Sequence, residues 1–194
     1  MSKIAIKGAD TGTGVFTLES PATNTDRTLV LPDEAGTVLT SASNVAQKGV
    51  PAFSAYRTTS QTVSYNTSTK LQVNVEEFDT NSNYDNSTNY RFTPTVAGYY
   101  LFTFGGDGES SIGTLEYNVV RLLKNGTALA GGSARYGSYT YTPDYPYWFG
   151  TAQGSVLVYM NGTTDYMELY GSLVGGGTLS YGRVNFQGVL VRAA

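Results

Sequence analysis

The sequence predicts an all-β protein built as a sandwich or jelly roll. Its composition is rich in turn-forming and strand-forming residues, with 23 Gly, 16 Tyr and 8 Phe in 194 residues. Many short stretches alternate apolar and polar residues and are separated by turn signals. No window of useful length has the spacing of an amphipathic helix. Together these observations favour many short strands packed in two layers.

Residues 1–43 are predicted to form short strands, closing in a small β-hairpin. "KIAIK", "VFTLE" and "RTLVLP" each alternate, and the turn Pro32-Asp33-Glu34-Ala35-Gly36 separates "RTLVLP" from "TVLTS". A chain of about 40 residues rarely buries enough core to stand alone. We therefore expect this segment to pair with copies of itself or to dock on a partner. Residues 44–52 are predicted to be a linker.

Residues 53–194 read as a series of strands in one domain. Two hairpins are predicted, with Asn125-Gly126 and Asn161-Gly162 at their bends, because Asn-Gly suits a turn with positive φ. Gly175-Gly176-Gly177 has no following Lys or helix and is predicted to be a loop. The other predicted strands are "AFSAYRT", "TVSY", "KLQVNVEEF" and "RVNFQGVLVRA".

The stretch "RFTPTVAGYYLFTF", residues 91–104, is bulky on both faces of its predicted strand. Successive side chains alternate between faces, so Tyr99 and Leu101 share one face, and Tyr100, Phe102 and Phe104 share the other. A sheet wetted on one side should alternate apolar with polar residues. We therefore predict that both faces of this stretch are covered. The residues concerned are Phe92, Tyr99, Tyr100, Leu101, Phe102 and Phe104.

Charge and residue usage exclude several functional classes. The net charge is −3, which argues against nucleic acid or an anionic membrane as a partner. The chain has no Cys and no His, so disulfides, Cys nucleophiles, Ser-His triads and the common zinc sites are excluded. No apolar segment approaches the roughly 18 residues of a membrane span. Residues 1–12 lack the apolar run of a signal peptide, so we expect synthesis in a cytoplasm.

The segment "YDNSTNYRFTPTVAGYYLF", residues 84–102, resembles the signature of the complement one-q globular head, a jelly roll shared with tumour necrosis factor. "FSAYRT" and "FQGVLV" resemble the first and closing strands of that family, and the resemblance covers most of 53–194. It implies a ten-stranded jelly roll and a homotrimer, in which the six residues named above from 91–104 belong to the core and assembly strand. Asn89 stands near the family's Gly, with one extra residue before Phe92, and the collagen stalk is absent. The matching positions are Tyr84, Asp85, Ser87, Thr88, Phe92, Thr93, Val96, Gly98, Tyr100 and Phe102.

The segment "FTLESPATNTDRTLVLPDEAGTVLTSAS", residues 16–43, is similar to a module of tailed-bacteriophage fibre and other virion proteins. In that module a hairpin of this type precedes a distal domain. The two resemblances together imply a virion structural protein whose N-terminal segment attaches to another virion protein. They also imply a trimeric head of receptor-binding type at the C-terminal end.

Few carboxylates are candidates for an acid–base pair. Glu76 and Glu77 are adjacent and should point to opposite faces of a strand, so they cannot cooperate at one glycosidic bond. Asp107 with Glu109, and Asp144, are the remaining candidates. With no His as well, we predict that the protein is not an enzyme and has no catalytic residues.

Calcium is the only cofactor that the residue pattern suggests. The loop "DTNSNYDNSTN", residues 79–89, holds Asp79, Asn81, Asn83 and Asp85, whose oxygens suit calcium. The loop lacks the Gly and the closing Glu of an EF-hand. The favoured alternative is a solvated loop whose Asn and Asp side chains bond their own backbone. We therefore predict no metal and no cofactor.

The aromatic segment 135–150 is the best candidate for a ligand site. Tyr and Trp offer a large amphipathic contact area at low entropic cost, which suits sugar stacking and protein recognition. The alternative is that about half of these side chains fill the sandwich or a trimer seam. The candidate binding residues are Tyr136, Tyr139, Tyr141, Tyr145, Tyr147 and Trp148.

Three functions remain open from the sequence. The leading hypothesis is a phage tail-fibre or receptor-binding protein whose trimeric head binds a glycan or protein of the host surface. The first alternative is a capsid decoration or cement protein. The second alternative is a tail-associated polysaccharide-degrading enzyme, which the carboxylate argument disfavours.

Overall fold

A computed structural model describes residues 50–112, 115–137 and 149–194, together with isolated positions between 11 and 28. The chain divides into two units, Met1–Thr40 and Ser41–Ala194, and nearly all described residues belong to the second. The predicted N-terminal hairpin of residues 1–43 lies outside the described residues, as does most of the predicted linker.

The described part of the second unit is all-β. It contains no helix, and so none of the length and apolarity that a membrane span requires. The strands are β1 (Ala52–Arg57), β2 (Gln61–Val63), β3 (Thr69–Lys70), β4 (Val75–Asp79), β5 (Tyr84–Asp85), β6 (Arg91–Phe92), β7 (Gly98–Ser110), β8 (Leu115–Lys124), β9 (Thr127–Gly137), β10 (Phe149–Met160), β11 (Met167–Gly175) and β12 (Leu179–Ala193).

The strands form two antiparallel sheets of six strands each. The first sheet has the order β10-β7-β12-β1-β4, with β2 paired to β12. The second sheet has the order β5-β6-β11-β8-β9, with β3 paired to β11. Neighbouring strands are mostly distant in sequence, which is the arrangement of a jelly roll. The predicted jelly-roll sandwich is therefore confirmed, and four of its twelve described strands have only two or three residues.

Aromatic side chains dominate the core between the sheets. The Phe53 ring stacks on Phe92 and Tyr84, with centroid distances of 4.5 and 4.8 Å. Phe102 lies edge-on to Phe92 at 5.9 Å, and Phe186 lies edge-on to Phe53 at 5.0 Å. Aromatic pairs of this geometry add about 0.5–1.5 kcal/mol each beyond the area they bury.

The first predicted hairpin is confirmed. β8 and β9 pair antiparallel around Asn125 and Gly126, whose φ angles are 52° and 78°. Positive φ at both central residues is what a type I′ turn requires, and Asn-Gly supplies it at low steric cost.

The second predicted hairpin, around Asn161-Gly162, is wrong. β10 belongs to the first sheet and β11 to the second, so residues 161–166 cross between the layers. Gly162 has a positive φ of 70°, but Asn161 does not, so the two-residue turn is not formed. Instead the Asn161 side-chain oxygen accepts hydrogen bonds from the backbone N–H groups of Thr163, Thr164 and Asp165.

A polar cluster holds this crossover against the first hairpin. The Asp165 carboxylate is buried and lies 2.8 Å from Lys124 Nζ. It also accepts hydrogen bonds from the side-chain amide of Asn125 and the backbone N–H of Asn161, at 2.7 and 2.9 Å. Burial alone would raise the pKa of Asp165, but these hydrogen bonds and the Lys124 charge lower it. The carboxylate therefore stays ionised and links the two loops.

The predicted strand "KLQVNVEEF" is interrupted. β3 ends at Lys70 and β4 begins at Val75, and the two strands belong to different sheets. Leu71 and Val73 lie between them and are fully buried. The apolar alternation reflects burial at this point rather than continuous pairing in one sheet.

Candidate functional site

The two faces of β7 have different surroundings. Tyr100, Phe102 and Phe104 point into the core and are buried, whereas Tyr99 and Leu101 are exposed. The buried Tyr100 hydroxyl donates a hydrogen bond to the carbonyl of Val96 at 2.8 Å. Burial raises the pKa of Tyr100 to about 12. The exposed residues therefore form a bulky outer surface that the described residues do not cover.

This surface extends across the whole first sheet. We use "apolar face" for the eight large hydrophobic side chains exposed on its strands, which are Tyr56, Phe78, Tyr99, Leu101, Leu157, Tyr159, Val189 and Val191.

The strand register brings residues of the apolar face into rows. Leu157 of β10, Leu101 of β7 and Val189 of β12 are direct cross-strand partners. Tyr159 and Tyr99 are partners in the next row, with ring centroids 5.5 Å apart. Side chains at such positions pack against one another on one face of a sheet. The exposed residues therefore form a contiguous patch rather than scattered positions, and such patches mark interaction sites.

A groove of about 420 Å³ lies within this outer surface. Its apolar lining includes Phe78, Leu101 and Val189. Its polar lining includes Ser54 and Thr103, together with Glu77 and Gln187.

The polar side chains of the groove form a row in which each one donates a hydrogen bond to the next. Thr103 Oγ1 donates to Gln187 Oε1 at 2.9 Å, and Gln187 Nε2 donates to Ser54 Oγ at 3.1 Å. Ser54 Oγ in turn donates to Glu77 Oε2 at 2.9 Å. This row crosses β7, β12, β1 and β4, and each of its side chains has a hydrogen-bond partner in the row. It ends at the Glu77 carboxylate, which is exposed.

The predicted ligand residues of segment 135–150 fall largely outside the described residues. Tyr136 lies in β9, where its backbone pairs with Asn118. The side chain of Tyr136 and the whole of Tyr139, Tyr141, Tyr145, Tyr147 and Trp148 are outside the described residues, as is Asp144. The ligand site predicted there remains a prediction.

The candidate calcium loop uses its carboxylates on its own backbone. Asp79 accepts from the backbone N–H groups of Asn81 and Tyr84, at 3.1 and 2.6 Å. Asp85 accepts from the backbone N–H groups of Thr88, Ser87 and Asn89, at 2.8–3.0 Å.

These hydrogen bonds stabilise the ionised form of Asp85. The backbone N–H groups of Thr88 and Ser87 hold the pKa of the Asp85 carboxyl well below its usual range. Within the described ranges, no three acidic side chains converge as a metal site would require. The arrangement matches the Asx-type loop weighed as the alternative to calcium.

Three of the described carboxylates considered for catalysis accept hydrogen bonds from hydroxyl groups. Asp107 Oδ1 accepts from the Thr151 hydroxyl at 2.6 Å. Glu109 Oε2 lies 3.3 Å from the Ser180 hydroxyl, which donates to it. Glu77 accepts from Ser54, as described above.

Sequence reasoning identified only the β7 residues of the apolar face. Leu157, Tyr159 and Val189 were missed, although "VLVY" in β10 and "GVLV" in β12 place bulky residues at successive positions, as β7 does. These two stretches therefore also indicated a second covered face, because a strand with apolar side chains on both faces needs both of them covered.

Solved structures share this fold at low sequence identity. The TNF Eiger from S. frugiperda is 12% identical with a TM-score of 0.50, and the match covers 75% of this chain and 93% of that chain. Vertex protein P5 of phage PRD1 is 15% identical with a TM-score of 0.51, and the match covers 74% and 99%. No protein-family model and no curated protein sequence matches the chain. The fold is thus a TNF-like jelly roll.

Proposed function

We propose that this protein is a non-enzymatic virion structural protein of a phage, and that it assembles as a homotrimer whose head binds the host surface. The observation that carries the assembly is the apolar face of the first sheet. The N-terminal resemblance to phage fibre proteins supports the virion location. The TNF-like fold, shared with the PRD1 vertex protein, supports a trimeric binding head.

Three copies can cover each other's apolar faces. Burying one large apolar side chain fully is worth about 1.5–3 kcal/mol, part of which is still to be gained by these partly exposed residues. The face holds eight such residues, and the side chains of its polar row hydrogen-bond one another. Covering this surface is therefore favourable. The head-family resemblance makes three the expected number of subunits.

The hydrogen bonds that the carboxylates accept also support a binding role rather than an enzymatic one. Asp107 and Glu109 on β7 and Glu77 on β4 each accept a hydrogen bond from a neighbouring hydroxyl group. Incubating the protein with host capsular polysaccharide tests this directly. We expect no released oligosaccharide, and its release would favour a polysaccharide-degrading enzyme instead.

The head is proposed to bind a glycan or protein of the host surface through the Tyr-rich segment 135–150. Replacing both Tyr145 and Trp148 with Ala should abolish adsorption to host cells, because it removes two large aromatic contact surfaces. Adsorption is measured by pull-down of purified protein with host cells. Light scattering on the same variant should still show the native assembly state. Unchanged adsorption by a correctly assembled variant would contradict this binding site.

A capsid position is the second candidate, favoured by the likeness to a protein named for its place at a virion vertex. In that case residues 1–43 would attach to the capsid rather than to a tail. Antibody labelling of intact particles separates the two positions. Label at the tail tip supports the receptor-binding fibre, and label over the capsid supports a decoration or vertex role.

A further inference from the structure

The outer face of the second sheet carries basic and aromatic side chains side by side. We use "arginine patch" for Lys70, Tyr117, Arg121, Arg135 and Tyr170. Lys70 of β3 and Arg121 of β8 are cross-strand partners of Tyr170 on either side of β11. Arg135 of β9 is the partner of Val119, two residues before Arg121 on β8. Because residues two apart on a strand share a face, both arginines lie on the same surface.

The lysine of this patch already has its counterion. Lys70 Nζ forms an ion pair with the carboxylate of Glu168, which is buried. The same ammonium lies 5.9 Å from the ring centroid of Tyr170. Glu168 thereby balances Lys70, and within residues 50–112, 115–137 and 149–194 neither arginine has an ion-pair partner.

Arg121 has no such partner in the part of the chain that the structure describes. Its Nε is buried and has no hydrogen-bond acceptor there. Among the described residues, none forms an ion pair with its guanidinium. An N–H removed from water without an acceptor is costly, and it is most costly on a charged group. Arg121 as a whole is half-buried, so an acceptor from outside would meet guanidinium donors other than Nε.

Arg135 and Tyr117 provide a second, ordered contact. The guanidinium carbon of Arg135 lies 5.2 Å from the Tyr117 ring centroid, which is cation–π distance. The Tyr117 hydroxyl donates to the side-chain oxygen of Asn66 at 2.8 Å, which fixes the ring at its outer end. The arginine patch thus combines guanidinium donors with positioned aromatic rings.

We propose that the arginine patch binds a carboxylate-bearing sugar unit, with the carboxylate on Arg121 and the sugar ring against the neighbouring tyrosines. A guanidinium matches a carboxylate with two parallel hydrogen bonds, and tyrosine rings suit the apolar face of a sugar. An extended phosphate backbone is a poorer match, because two arginines on a chain of net charge −3 do not form a basic stripe. This inference rests on the proposed role in binding a host-surface glycan.

Calorimetric titration of the full-length protein tests the site. The probes are methyl β-glucuronide, the uncharged methyl β-glucoside and inorganic phosphate, each at low ionic strength. We expect binding of the glucuronide and no measurable binding of the glucoside. Equal binding of both sugars, or no binding of the glucuronide, would overturn the proposal. Phosphate binding as tight as the glucuronide would also overturn it, because the site would then be a general anion site.

Two variants with the same charge change locate the contact. Arg121→Gln should weaken glucuronide binding by about tenfold or more, since it removes a charge-assisted bidentate contact. Arg183→Gln is the matched control, because Arg183 is exposed on β12 of the other sheet. It should leave the affinity unchanged. Equal losses in the two variants would contradict the assignment to Arg121.

The assay separates this inference from the proposed function. The difference in glucuronide affinity between Arg121→Gln and Arg183→Gln reports on the arginine patch, and thermal unfolding of each variant checks that it is folded. Host-cell pull-down reports on the binding role of the head. Adsorption that persists in a protein unable to bind glucuronide would refute the arginine patch and leave the host-binding role intact.

Discussion

At the residue scale, a buried polar contact joins the two sheets. The Tyr181 hydroxyl of β12 donates a hydrogen bond shared between Asn118 Oδ1 and the Val119 carbonyl of β8, at 2.7 and 2.8 Å. The Asn118 amide in turn donates to the carbonyls of Gly106 and Gly150, both at 2.7 Å. Tyr181 and Asn118 are both fully buried. Burial raises the pKa of Tyr181 far above its usual value, so the hydroxyl remains a donor.

We predict that Tyr181→Phe lowers the free energy of unfolding by about 1–3 kcal/mol. The substitution keeps the ring but leaves buried acceptors on Asn118 and Val119 without their donor. Urea denaturation of the purified protein measures the change. Tyr65→Phe is the control, because Tyr65 is 61% exposed, and it should alter stability little. Equal stabilities for the two variants would show that the buried hydroxyl contributes nothing.

At the element scale, identical dipeptides adopt different roles. Asn125-Gly126 closes a hairpin, while Asn161-Gly162 begins a crossover between sheets. The sequence predicts where each turn lies, since Asn and Gly favour bends. It does not predict which strands pair, because that depends on distant partners such as β7 for β10 and β8 for β11. Turn positions are therefore local information, and sheet membership is not.

We predict that Gly126→Ala destabilises the protein by about 1–2 kcal/mol, because an L side chain disfavours its φ of 78°. Space is not the cause, since an added Cβ would approach only the Tyr166 hydroxyl, at 3.8 Å. Gly131→Ala is the matched control in β9. Its Cβ would meet Val156 at 3.7 Å, and its φ is not positive. Thermal unfolding should show a loss for Gly126→Ala only, and equal effects would contradict the turn assignment.

At the scale of the whole molecule, the sequence predicts the jelly roll and the need to cover a second face. Alternation within "YYLFTF" separates Tyr99 and Leu101 from the core residues Tyr100 and Phe102. It cannot show that β10 and β12 add further apolar residues beside them, because that neighbourhood is created by strand order. The arginine patch likewise cannot be predicted from the sequence, because β3, β8, β9 and β11 become neighbours only in the folded sheet.

The central claim is that the apolar face assembles three chains. Leu157→Glu should prevent assembly, because it places a charge on a surface that must lose water. Ile112→Glu is the matched control. Ile112 is 60% exposed, close to the 57% of Leu157, but it lies outside the strands of the first sheet. It should leave assembly unchanged.

Light scattering coupled to size exclusion, at micromolar concentration, is the most direct measurement. For the native protein and for Ile112→Glu, we expect about 62 kDa, which is three times the chain mass of 20.7 kDa. For Leu157→Glu we expect 20.7 kDa, with the β-rich circular dichroism spectrum retained. A native protein that elutes as a stable monomer of 20.7 kDa would contradict the claim.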